Sequence, residues 1–149
     1  MQAELIVQPR SKAPPKHIHP LQEETFKVVE GSLATCVSGK QFTLRTGQEC
    51  VVPRSALHTW HNAGETEARV LVEFRPALRA DEGLEALYAM AQNGHRNPLQ
   101  FAVTMWDFRK EGSFPGAGRI VLAVLARLGK LLGYKAHYPY PYNRAQAAS

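Results

Sequence analysis

The spacing of apolar residues changes once along this chain, and that change limits the folds open to it. Up to about Leu78 the sequence runs in short β-rich stretches closed by turn signals. Leu5 to Val7 is interrupted by Ala13-Pro14-Pro15, Thr25 to Val29 ends at Glu30-Gly31, and Leu33 to Val37 ends at Ser38-Gly39-Lys40. Gln41 to Arg45 then ends at Gly47, Cys50 to Val52 ends at Pro53, and Arg69 to Phe74 follows. Strands at such short, regular spacing predict an antiparallel sandwich or barrel. Beyond Leu78 the period switches from two to about 3.6 residues. Asp81 is expected to cap a helix in which Leu84, Leu87, Tyr88 and Ala91 share a stripe, with Asn93-Gly94 as its stop. Asn97-Pro98-Leu99-Gln100 reads as an N-cap, a first-turn proline and a capping-box partner, opening a second helix through Leu99, Ala102, Val103 and Trp106. A third is expected from about Gly118 to Leu132, and Tyr138-Pro139-Tyr140-Pro141-Tyr142 cannot continue it. The fold class is thus mainly β. Residues 1–78 are expected to form a small antiparallel β-barrel, and residues 79–149 a helical extension of about three α-helices, packed on the barrel or on a dimer partner.

Composition excludes several classes of function. At 149 residues and 44% hydrophobic content the chain can bury a sizeable core, which argues against wholesale disorder. The opening MQAELIVQPR lacks the basic start, apolar core and small-residue cleavage site of a secretory signal, so a cytoplasmic location is expected. The formal charge of +5 is unevenly placed: of 18 basic residues, 13 lie in residues 1–111 with all 13 acidic ones. The excess is Arg119, Arg127, Lys130, Lys135 and Arg144. Residues 1–111, charge-neutral and with no recognition motif, argue against nucleic acid. On a helix, residues 119–132 place Arg119, Ala123, Ala126, Arg127 and Lys130 on one narrow face. Ile120, Val121, Val124, Leu125, Leu128, Leu131 and Leu132 form a wide apolar face, expected to pack across the barrel or a second subunit. Contact with an anionic membrane surface is the secondary alternative, and the run is too short and too interrupted by charge to span a bilayer. Cys36 and Cys50 have no CxxC spacing and read as two small buried hydrophobes rather than a disulfide or redox pair.

Four of the six histidines lie in the β-rich part. Alternate residues of a strand share a face, so His17 and His19 point the same way, as do Glu24, Phe26 and Val28, and as do His58, Trp60 and Asn62. Closing the sheet with Phe26 and Val28 inward brings Glu24 inward and leaves Glu23 out. Singly, such a histidine is more often a hydrogen-bonded core residue than a ligand. Three neutral imidazoles and one carboxylate aimed into one apolar cavity are, however, costly to bury unless something satisfies them, and a divalent cation does so.

The stretch His17-Ile18-His19, four residues, Glu24, six residues, Gly31 resembles the first motif of the cupins. Gly47, five residues, Pro53, four residues, His58, three residues, Asn62 resembles the second. The resemblance implies a cupin: an antiparallel barrel of the jelly-roll type, with a metal held by His17, His19, Glu24 and His58, and with Asn62 as a structural or hydrogen-bonding residue near the site. Ser11 stands where the first motif usually begins with Gly, and Ser55 where a Gly usually follows Pro53 by two. A positive φ at Ser55 would carry modest strain. Only 16 residues precede His17, so the barrel edge is expected to be closed by Leu5 to Val7 of a partner chain or by the C-terminal helices, favouring a homodimer.

A three-His, one-Glu set leaves coordination positions open and suits iron, manganese, nickel or zinc. The resemblance implies a broad range of activities, including dioxygenases, decarboxylases, sugar isomerases and members without known catalysis. Pocket-lining candidates are Phe26, Val28 and Trp60, with Asn62 nearby and Phe42 and Leu44 beyond. Such an apolar, aromatic lining fits a hydrophobic or aromatic small molecule chelating the metal better than a sugar, although these aromatics also read simply as barrel core. The functional expectation is a metal-dependent oxidoreductase of dioxygenase type. The alternatives are a non-catalytic small-molecule-binding or sensor protein, a metal-dependent isomerase or decarboxylase, and an interaction module. His61, His95 and His137 read as surface or packing residues, and Glu73 and Arg75 as a solvated strand face.

Overall fold

The computed structural model describes residues 1–94 and 96–136; the readings of His95, His137 and the Tyr-Pro tail fall outside the described residues. The period-two segments form β1 (Gln2–Val7), β2 (Glu23–Glu30), β3 (Ser32–Val37), β4 (Lys40–Arg45), β5 (Glu49–Val52), β6 (His58–Asn62) and β7 (Ala68–Arg75). The helical segments form α1 (Ala80–Gln92), α2 (Pro98–Asp107) and α3 (Ala117–Leu131). The chain divides into two compact units, Met1–Leu78 and Arg79–Ser149.

In the first unit the strands make two antiparallel sheets, ordered β1-β7-β2-β5 and β4-β3-β6. Burial follows the alternation that pleating imposes. Glu24, Phe26 and Val28 on β2, Leu33 and Thr35 on β3, and Ala68, Val70, Val72 and Phe74 on β7 are buried. Phe26 lies 6.2 Å, ring to ring, from Trp60 of the other sheet, so the two inner faces meet in one core. Each large apolar side chain fully buried there contributes about 1.5–3 kcal/mol.

Two elements differ from expectation. β1 starts at Gln2 and pairs with β7 of its own chain in register from Gln2 opposite Glu73 to Val7 opposite Ala68, so neither a partner strand nor a helix is needed there. β7 supplies the hydrogen-bonding template that extends β1 past its apolar core, and the Met1 ammonium also donates to the Phe74 carbonyl at 3.1 Å. β6 reads His-Thr-Trp-His-Asn, too polar to stand out as an apolar run. It forms because β3 pairs with it, from Val37 opposite His58 to Leu33 opposite Asn62.

In the second unit Asn97 caps α2 as expected, its side-chain oxygen accepting from the Leu99 and Gln100 amides at 2.9 and 3.3 Å. Gln100 does not return the bond as a capping-box partner. It is buried, and its amide donates to Thr104 Oγ1 and to the Lys135 carbonyl. Asp81 is not the N-cap of α1 either. Arg79 holds that position without a side-chain cap, while Asp81 and Glu82 sit in the first turn, where the helix dipole still favours them. The residues that α1 buries are Ala80, Gly83, Ala89 and Met90, rather than the stripe through Leu84, Tyr88 and Ala91. On α3, similarly, the wide apolar face is not what packs on α2. Leu122, Ala126 and Gly129 are buried there, with Leu125 partly buried beside them. A Cβ on Gly129 would stand 2.6 Å from Val103 Cγ2 and 3.1 Å from the Leu99 carbonyl oxygen. Close approach selects the small residues, because a bulkier face would hold the axes apart.

The β2–β3 hairpin turns on Gly31, whose φ is +80°. A Cβ there would lie 3.0 Å from both Ala68 Cα and the Glu67 carbonyl oxygen. Gly31→Ala therefore combines left-handed strain with a clash against backbone and is expected to destabilise the barrel by about 1–3 kcal/mol in denaturant unfolding.

Candidate metal centre

The site is built by one backbone pairing. The His17 amide donates to the His58 carbonyl at 3.1 Å and the His58 amide to the His17 carbonyl at 3.0 Å, a bridge that joins the segment before β2 to the start of β6. It sets the two imidazoles side by side, with ring centroids 4.3 Å apart. The turn after Pro53 adds a second tie, the Ser55 amide donating to the His19 carbonyl at 2.9 Å. Ser55 has φ +61°, the conformation expected where glycine is usual. Glu24 enters from β2, held in register between Val52 of β5 and Phe74 of β7.

These elements bring His17, His19, Glu24 and His58 together, one ligand atom from each lying within 4.8 Å of the others, a group that could hold a metal ion. Glu24 Oε2 is 2.8 Å from His58 Nε2 and 3.3 Å from His19 Nε2. The side chains of His58, Glu24 and His19 are 0%, 5% and 11% exposed, so this charge is held almost out of water.

Backbone carbonyls decide which imidazole nitrogens face the cluster. His17 Nδ1 lies 2.8 Å from the Pro15 carbonyl oxygen and His58 Nδ1 2.9 Å from that of Ala56. A carbonyl only accepts, so each Nδ1 carries the proton and each neutral ring turns its Nε2 lone pair away from that bond. At His58 a neutral ring would set that lone pair against a carboxylate oxygen at hydrogen-bond distance, two acceptors face to face. A second proton on the imidazole reconciles them, and so does a cation. The donor set fits a divalent ion, with nitrogen and oxygen ligands, no thiolate, and second-shell carbonyls orienting the rings.

In the absence of metal, burial and the neighbouring charges of His58 and His19 push the His17 imidazole down from 6.5 to about 4. For Glu24 burial pushes the carboxyl up, but hydrogen bonds from His19 and His58 outweigh it and bring it from 4.5 to about 2. Both groups thus hold protons more weakly folded than unfolded. The His17 contribution is full above pH 6.5 and is lost as pH falls towards 4; that of Glu24 is full above pH 4.5 and is lost towards 2. Metal-free protein is expected to lose about 1–3 kcal/mol on acidification from pH 7 to 4, measured by denaturant unfolding across that range.

Of the residues expected to line a pocket, Phe26 and Val28 are 0% and 1% exposed. The Phe26 ring lies 6.4 Å from that of His58, and half-buried Trp60 stands behind it. Asn62 is engaged with backbone: its amide donates to the Val7 and Thr66 carbonyls and its oxygen accepts from the Gly64 amide, all at 2.7 Å, locking the turn after β6 onto β1. Two neighbours escaped the sequence reading. Phe74 packs edge-on against His19 at 5.2 Å. Gln22 is fully buried and donates to the Pro76 and Ala77 carbonyls at 2.9 and 2.8 Å, anchoring the segment between His19 and Glu24. Its even-numbered parity with Glu24 and Phe26 was the available signal. His61 is exposed on the outer face, where with Lys16, Cys36, Gln41, Thr43 and Thr59 it lines a separate cavity of about 350 Å³. Cys36 and Cys50 are both free and half-buried, and burial pushes the Cys50 thiol up to about 11, leaving it protonated and unreactive.

Residues 3–74 match the family model of the Cupin domain. Over 61 residues the chain is 38% identical to polyketide synthase CurC of Streptomyces cyaneus, covering 41% of this chain and 40% of that protein. Over 68 residues it is 34% identical to oxalate oxidase 1 of Hordeum vulgare, covering 40% of this chain and 34% of that protein. A solved structure titled as a predicted oxalate decarboxylase, from Thermotoga maritima, superposes with a TM-score of 0.46 at 20% identity, covering 50% of this chain and 64% of that one. The matches thus span less than half the length of these two curated relatives.

Proposed function

We propose that His17, His19, Glu24 and His58 hold one divalent metal ion, and that a small organic molecule with oxygen donors binds at the ion's remaining positions. The observation that carries this reading is His58 Nε2 held 2.8 Å from Glu24 Oε2 while Nδ1 is engaged by the Ala56 carbonyl. Bound there, the ion supplies Lewis acidity and, if it is iron or manganese, a route for electron transfer. The chain's own residues do the rest. Glu24 offsets part of the ion's charge, the Pro15 and Ala56 carbonyls aim the rings, and Phe26 and Phe74 keep water from the ligand side chains. One relative is named for a polyketide synthase and another for oxalate oxidation, and both names fit substrates rich in metal-chelating oxygens. These names support an oxidoreductase of dioxygenase type acting on an aromatic or diketone-like compound. The second reading is a binding or sensor protein. What favours it is that the described residues around the cluster offer buried phenylalanines rather than a further acid or base.

Purified protein is expected to carry about one equivalent of metal per chain, with His58→Ala lowering metal affinity by roughly 100-fold or more. Elemental analysis and calorimetric titration check this, and His17→Ala serves as a second variant should His58→Ala fold poorly. Metal-free wild type that gains no stability from iron, manganese, nickel or zinc would sink the metal assignment. Oxygen uptake by the iron-loaded protein over a panel of catechols, flavonoids and diketones tests the reaction. Turnover that disappears in His58→Ala is the expected outcome, and binding without uptake by any of them selects the sensor reading.

A further inference from the structure

α3 carries a large apolar surface that the described residues of its own unit leave exposed. Ile120, Val121, Val124, Leu128, Leu131 and Leu132 are 68%, 56%, 57%, 45%, 85% and 63% exposed. At about 100° per residue they occupy one continuous arc of roughly 120°, away from the Leu122–Ala126–Gly129 stripe that packs on α2. Beside this arc stand Arg119, Arg127 and Lys130, all exposed, and none is paired with a carboxylate among the described residues. From residue 112 to the end of the chain there is no acidic residue.

We propose that α3 is a docking helix for an anionic lipid surface, lying in the plane of the interface with its apolar arc in the acyl boundary and Arg119, Arg127 and Lys130 at the headgroup phosphates. Charge selects this occupant. A second copy seated on the same arc would bring three more cations and no carboxylate from residues 112–149. A lipid surface needs no matching shape, and the long basic side chains can lie along the apolar boundary while their heads stay in the phosphate layer. No helix of the described residues is long and apolar enough to cross a membrane, so the contact is superficial.

The test is sedimentation of the full chain with vesicles of phosphatidylcholine alone and of phosphatidylcholine mixed equally with phosphatidylglycerol. The protein is expected to pellet with the mixed vesicles and not with the neutral ones, and raising salt from about 0.1 M to about 1 M should release it. Leu128→Glu and Val124→Glu lie on exposed positions and leave the α2 contact intact; each should lower partition about tenfold or more. The triple change of Arg119, Arg127 and Lys130 to Glu should abolish binding. Failure to bind mixed vesicles overturns the proposal. So does a wild-type dimer, seen by size exclusion, that Leu128→Glu dissociates while vesicle binding is absent, because the arc then belongs to a second copy.

Discussion

Glu24 is a carboxylate placed almost wholly out of water at the mouth of an apolar core, with two imidazole nitrogens within 3.3 Å. An uncompensated charge there would be severely destabilising, and the surrounding architecture acts to compensate it. The bridge between His17 and His58 fixes two rings, the Ser55 amide fixes the backbone of His19, and the carbonyls of Pro15 and Ala56 fix which nitrogens face inward. Gln22 ties the intervening segment to the end of β7. The barrel thus buries a charge within its core and gathers around it a His/Glu group that could hold a metal ion.

Local and long-range constraints divide the fold in a consistent way. Where a residue's environment is set by its immediate neighbours, its role was legible: Asn97 caps α2 because its side chain reaches amides two and three residues on, and Glu24 points inward because Phe26 and Val28 do. The left-handed backbone at Ser55 follows from the turn that it occupies. β6 was not legible as an apolar run, because its strand character comes from β3 rather than from His-Thr-Trp-His-Asn itself. Gln22 was missed because its partners, Pro76 and Ala77, lie more than 50 residues away.

In the helical unit, close approach decides which face of α3 packs on α2. The widest apolar face of α3 was the natural candidate for burial, and the stripe actually buried is narrow and built partly from small residues. Helix axes approach closely only where side chains are short, and at Gly129 even a methyl group would collide with Val103.

By itself the sequence determined that the first half is an antiparallel β domain, that helices follow it, and that three histidines and a glutamate occur in cupin order. These rest on period, turn chemistry and spacing, all local quantities. Only the tertiary structure decided that β1 pairs with β7 of its own chain, that Asn62 serves the backbone, and that α3 packs on α2 through Leu122, Ala126 and Gly129. It also decided that Nε2 of His58, rather than Nδ1, faces Glu24. Each of these depends on which distant group arrives opposite a residue, and pairing between segments far apart in the chain is not encoded in either segment alone.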